Sequence, residues 1–192
     1  EMQRSLTGKK MQKRRNHFHA FEKQYAHRYE FRKVSPLDFD AIRIYLDEWK
    51  LSKYVCLYES IDIERQGIER LLQNFELFEL DGGVIYIDGK LEAFSLISKL
   101  STDTIQIHVE KANRNIRGLS IAIVKYYLDT LDKNVIYMNR EDDMGLEALR
   151  KAKHDMHPIK MLPKYSAAYS PLIVRKACDE DEASIRELWS QR

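Results

Sequence analysis

The sequence predicts an α+β (α/β) fold built on a mixed central sheet, and three observations carry that expectation. Three alternating runs stand in a row between residues 84 and 110, separated by turn signals, as in an antiparallel meander. A further extended run at 135–138 follows a helix-length stretch with apolar residues at helical spacing, so it should pair in parallel with the run before that stretch. Elsewhere helical and extended runs alternate over short connections, and 192 residues suffice for one sizeable core with appendages.

Taken in order, GKKMQKRRNHFHAFEKQY (residues 8–25) reads as a helix with Phe18, Phe21 and Tyr25 on one stripe and Lys10, Lys13 and Arg14 around the rest. Its basic face would suit the phosphates of RNA, an acidic surface of the same protein, or plain solvent along a linker helix. YEFRKV (29–34) alternates as a strand. Ser35 then serves as N-cap and Pro36 as first residue of a helix whose apolar face, Ile42, Tyr45, Leu46 and Trp49, runs to about residue 50. A second helix spans 60–75 with Ile68, Leu71, Leu72 and Phe75 inward. Asp81-Gly82-Gly83 is expected to turn into a strand at 84–88, Asp88-Gly89-Lys90 makes a hairpin, and strands follow at 91–100 and 104–110. Next come a helix at 116–131, the strand at 135–138 and a helix at 143–153. Asp143 would cap that helix, and Arg150, Lys151 and Lys153 load its last turn. Extended segments at 159–169 and 172–176 and a terminal helix from Asp179 complete the order β-α-α-β-β-β-α-β-α-β-β.

Charge narrows the function. The net charge is +2, yet residues 1–33 hold ten lysines and arginines against three acids, a basic segment on a mildly acidic body. Cys56 and Cys178 stand outside any CxxC or Cys/His cluster, and His17, His19, His154 and His157 lack ligand spacing, so no metal is expected. No run approaches the ~18 apolar residues of a membrane span, and none has the order of a signal peptide. A soluble cytoplasmic protein is the expectation.

Two stretches could carry chemistry. In HVEKANRNIRGLS a strand leads into a helix whose N-terminal amides could hold a pyrophosphate, with Gly118 letting the backbone come close. In YMNREDDMGLEALRKAK, Asn139, Arg140, Glu141, Asp142 and Asp143 arrive together where a strand becomes a helix, as a site or as ordinary dipole-matching charges. Strand alternation would put His108 on the face of Glu110. Parallel strands would bring Glu110, Asn139 and Glu141 to one cleft at their carboxyl ends.

NREDDMGLEALRKAK, followed by HP and KY, resembles the signature of the phosphatidylglycerol lysyltransferase C-terminal-domain-like family. That family is a branch of the GNAT acyltransferases related to the Fem-type aminoacyltransferases. GKKMQKRRNHFHAF is similar to the basic run that precedes the second GNAT lobe in these proteins. The resemblance implies a basic linker helix at 1–28, a GNAT-like domain at 29–192 and an N-terminal GNAT lobe ahead of this chain. It implies acyl or aminoacyl transfer to an amine or hydroxyl, from acyl-CoA or from aminoacyl-tRNA held through the basic arm (Lys9, Lys10, Lys13, Arg14, Arg15). Glu110 would act as base or else form a salt bridge with Lys111 or a loop arginine. Asn139 would bind a substrate carbonyl and Glu141 an amine, while Tyr165 would return a proton or sit in the core. The donor loop would be Asn115, Arg117, Gly118 and Ser120, with Asn115 departing from the Gln or Arg usual there. The alternative is a non-catalytic GNAT-like module that binds a ligand or partner.

Overall fold

Strands β1 (Tyr29–Lys33), β2 (Asp81–Ile87), β3 (Lys90–Lys99), β4 (Thr104–Ala112) and β5 (Tyr137–Asn139) form one sheet in the order β1-β2-β3-β4-β5. The computed structural model describes residues 2–51, 58–163, 165 and 178–190. β1 to β4 pair antiparallel in succession: short turns join β2 to β3 and β3 to β4 and permit only that pairing, whereas β1 reaches β2 through the longer stretch at 34–80. β5 pairs parallel with β4, the consequence of the crossover through helix α5 (Leu119–Thr130). The mixed sheet is the one the sequence predicts.

Each face of the sheet has its own core. On one side α5 packs with the apolar stripe of α2 (Gln12–Gln24), burying Met11, Phe18, Phe21, Leu119, Ala122 and Ile123 against Ile85, Ala93, Ile97, Ile105 and Ile107. The short helix α1 (Met2–Ser5) adjoins α5 as well. On the other side α3 (Phe39–Leu51) and α4 (Tyr58–Gln73) bury Ile42, Tyr45, Leu46, Ile68 and Leu72 against Val84, Phe94, Leu96 and Val109. A fully buried Phe such as Phe21 contributes about 2–3 kcal/mol.

Ser35 and Pro36 open a 3-10 turn that leads into α3, as expected, and the fully buried Asp38 fastens it. Its carboxylate accepts from Ser35 N (2.9 Å), Arg32 Nη1 (2.7 Å) and the Tyr86 hydroxyl (2.7 Å). Burial pushes this carboxyl up, and the hydrogen bonds outweigh that effect and hold it below its usual range.

Two local expectations fail for identifiable reasons. Asp81-Gly82-Gly83 is not a turn but the start of β2, where a Cβ on Gly82 would lie 1.9 Å from the Ser95 carbonyl oxygen. The glycine serves close strand approach. Asp143 does not cap the helix after β5, because α6 (Glu147–His154) begins with Leu146 at its N-cap. The Asp143 carboxylate instead accepts from Gly145 N (2.9 Å) and pairs with Arg150, which holds it down to about 2.

The chain divides into two compact units, Glu1–His157 and Pro158–Arg192. In the second unit a 3-10 turn at Asp179–Asp181 leads into α7 (Glu182–Ser190). Pro158–Pro163 are described without strand structure, and the remainder of the extended segments expected at 159–169 and 172–176, Tyr165 apart, lies outside the described residues.

Candidate active site

β4 carries an irregularity that decides where its side chains point. Ile97 stands opposite Ile107 and Leu96 opposite Val109, so the ladder skips His108. Ile105 and Ile107 pack on the α5 side, whereas Val109 packs on the α3/α4 side. A bulge of this kind shifts the alternation by one residue. His108 and Glu110 therefore face opposite sides of the sheet, contrary to the simple alternation expected from sequence.

Glu110 faces α2 and α5. Its carboxylate lies 2.7 Å from Arg140 Nη2, with side chains 16% and 22% exposed. The approach is off the hydrogen-bond axis, so the attraction is coulombic. Lys111, one of the two kinds of partner expected from sequence, points the other way and pairs with Glu64 at 2.8 Å, its ammonium 3.6 Å from the centre of the Trp49 ring. Arg14 of α2 completes the cluster: burial lowers its pKa, Glu110 opposes that, and Arg140 adds to it. Among the described residues, Arg14 Nε and Arg140 Nε and Nη1 are buried without a hydrogen-bond acceptor.

The α5 N-terminus is closed by α2. Gly118 has φ +86°, and a Cβ there would lie 2.1 Å from the His17 carbonyl oxygen. Gly118 thus admits a helix backbone at the place where a phosphate was expected. Asn115 and Ser120 are exposed, and the Asn115 amide donates to Asn113 Oδ1 (3.0 Å). Of the four expected donor-loop residues only Arg117 lines a depression of about 400 Å³, and α2 with the turn before it supplies Lys9, Lys10, Lys13, Asn16 and His17. Burial, then Arg117, Lys13 and Arg14, push the His17 imidazole below its ordinary value. Two cations of the arm are engaged internally: Arg14 is partly buried, where Glu110 acts on it through space, and Arg15 Nη1 donates to the Leu6 carbonyl (2.7 Å).

On the α3/α4 side the polar residues form a chain. Ser98 Oγ lies 2.8 Å from His108 Nε2, and His108 Nδ1 lies 3.2 Å from Glu141 Oε1. A carboxylate can only accept, so Nδ1 carries the proton and Nε2 is left to accept from Ser98. Gln106 Nε2 donates to the same Glu141 oxygen (2.7 Å). Glu141 holds φ +57°, a strained conformation for a residue with a side chain, and its amide donates to Asn139 Oδ1 (2.9 Å). A depression of about 360 Å³ lined by Leu71, Phe78 and Leu80 opens onto Ser98 and His108.

The structure thus joins Asn139 to Glu141 and separates both from Glu110. Asn139 stands level with Gln106, near the start of β4, and on the opposite face from Glu110, so the single cleft expected for the three does not form. Tyr165 is 85% exposed and is no core tyrosine. Sequence reasoning missed Ser98 and the Gln106 contact. The signal available was that the hairpin register places Ser98 opposite Gln106, two residues before His108. Among the described residues, no three His, Cys, Asp or Glu side chains could hold a metal ion, and no helix is long and apolar enough to cross a membrane.

Solved structures share this architecture. A conserved protein of unknown function from Bacteroides thetaiotaomicron is 34% identical with a TM-score of 0.75, over 83% of this chain and 54% of that one, so this chain spans about half the relative's length. An aminoglycoside acetyltransferase from an uncultured soil metagenomic sample is 13% identical with a TM-score of 0.50, over 74% and 99% of the two chains. A GCN5-related N-acetyltransferase from Ralstonia eutropha is 11% identical with a TM-score of 0.47, over 75% and 98%. At 13% identity the likeness to the aminoglycoside acetyltransferase is one of fold alone, and the fold is GNAT-like. No curated protein matches the sequence. The family model described as phosphatidylglycerol lysyltransferase, C-terminal, matches residues 2–168, and the chain belongs to that family.

Proposed function

We propose that this domain transfers an acyl or aminoacyl group from a phosphate-bearing donor to an amine or hydroxyl acceptor. The observation that carries the reading is the Ser98–His108–Glu141 chain beside an apolar depression. His108 in its Glu141-bound tautomer presents Nε2 as a base that can take the acceptor's proton. Asn139 holds Glu141 in place through the strained loop. Arg117 with Lys9, Lys10 and Lys13 forms the cationic docking surface for the donor's phosphates. The fold favours acyl-CoA as donor, the family name an aminoacyl donor. Glu110, clamped by Arg140, serves to organise the α2 side.

Single-turnover transfer from acetyl-CoA and from charged tRNA tests the reading. His108→Asn should slow transfer on the order of a hundredfold without changing the fold, as for loss of a general base. Unchanged turnover would return His108 to a structural role. The separation of Glu110 from Asn139 favours a second reading, a binding module without chemistry. That reading expects salt-sensitive donor binding and no turnover with either donor.

A further inference from the structure

We infer that Ser98 is a nucleophile, and that the transfer proposed above passes through an acyl group carried covalently on Ser98 Oγ. The inference rests on the transfer reading and goes beyond it by naming a second reacting residue. Its ground is the order of contacts: hydroxyl to Nε2 at 2.8 Å, then Nδ1 to carboxylate at 3.2 Å. A serine is too weak an acid to attack unaided, and a base within hydrogen-bond reach, itself oriented by a third group, is the arrangement that activates it. Ser98 and His108 also line the depression formed by Leu71, Phe78 and Leu80, which suits an apolar acyl chain. Gln106 stands opposite Ser98 in the ladder, and its amide has a second N–H beyond the one given to Glu141.

The step balances without a further reactant. Ser98 Oγ bonds to the carbonyl carbon of an ester or thioester as its proton passes to His108 Nε2. The bond to the leaving oxygen or sulfur breaks, and the leaving group takes that proton. The acceptor amine or hydroxyl then attacks the acyl carbon, gives its proton to Nε2, and Ser98 Oγ departs and regains a proton from the imidazolium. Glu141 stabilises the imidazolium in both halves and does not itself take the proton.

The test uses the full chain with p-nitrophenyl butyrate as probe. A burst of p-nitrophenol equal to the protein concentration is expected, with one butyryl group on the peptide containing Ser98 after acid quench. His108→Asn and Glu141→Gln should slow the burst about a hundredfold or more, and Ser98→Ala should abolish it; Ser98→Thr with thermal melting separates lost chemistry from lost folding. A butyryl group found only on lysines, or a burst unchanged in Ser98→Ala, overturns the inference. Ser98→Ala that still transfers from the natural donor while His108→Asn does not also overturns it, and leaves direct transfer standing. Failure of the transfer reading looks different: a Ser98 adduct forms, but no amine or hydroxyl acceptor accelerates its loss.

Discussion

Ile107 and Val109 lie two residues apart on β4 and pack into different cores, Ile107 beneath α5 and Val109 beneath α3 and α4. The skipped residue between them, His108, follows from that arrangement. Both apolar side chains reach a core only if one residue is left out of the ladder, and the side chain left out is the one that meets Ser98 and Glu141. The same shift sends Glu110 to the α2 side, where Arg140 and Arg14 await it.

The Glu110–Arg140 pair should be measurable as a coupling. Arg140→Met leaves a largely buried carboxylate with Arg14 alone and should cost about 2–3 kcal/mol; Glu110→Gln leaves two guanidiniums facing each other and should cost a similar amount. Urea unfolding of the singles and the double should show a coupling of about 1–2 kcal/mol. Additive losses would mean the pair is solvated and energetically idle.

Gly118→Ala should destabilise the domain by about 2–4 kcal/mol, because the new methyl meets a helix carbonyl and the residue sits at positive φ. Hydrogen exchange should show α2 opening more readily over α5. A substitution that weakened donor binding while leaving stability untouched would show instead that the glycine admits phosphate.

Folding stability should fall on mild acidification through His17. Burial, Arg117, Lys13 and Arg14 depress its folded pKa, so the unfolded chain takes the proton first, at about 6.5. The stabilising contribution is therefore complete above that pH and is lost as the pH drops below it. The melting temperature of the wild type should fall relative to that of His17→Gln as the pH is lowered from about 7.5 to about 5.5. Tripolyphosphate, by offsetting Lys13 and Arg117, should shrink the effect. A pH profile identical in the two proteins would mean that His17 is solvated in both states.

Much of the site's raw material is visible in the sequence and its assembly is not. Arg117 and the lysines of the N-terminal arm read as separate features, one in a loop and one on a helix; they share a depression only because Gly118 lets α2 lie on the α5 N-terminus. Glu141 reads as one acid among several at a helix start. Its role rests on the Asn139 contact and a left-handed backbone that no residue pattern announces.

The sequence by itself determined the mixed sheet, the parallel β4–β5 pair and the helices between strands, because apolar periodicity and turn residues are local signals. It also carried the family, in a run of residues whose order survives without coordinates. Which side of the sheet each polar residue faces was decided by the tertiary structure alone. That choice depends on the register between β3 and β4, and register is a long-range compromise: two cores compete for one strand, and the bulge at His108 satisfies both.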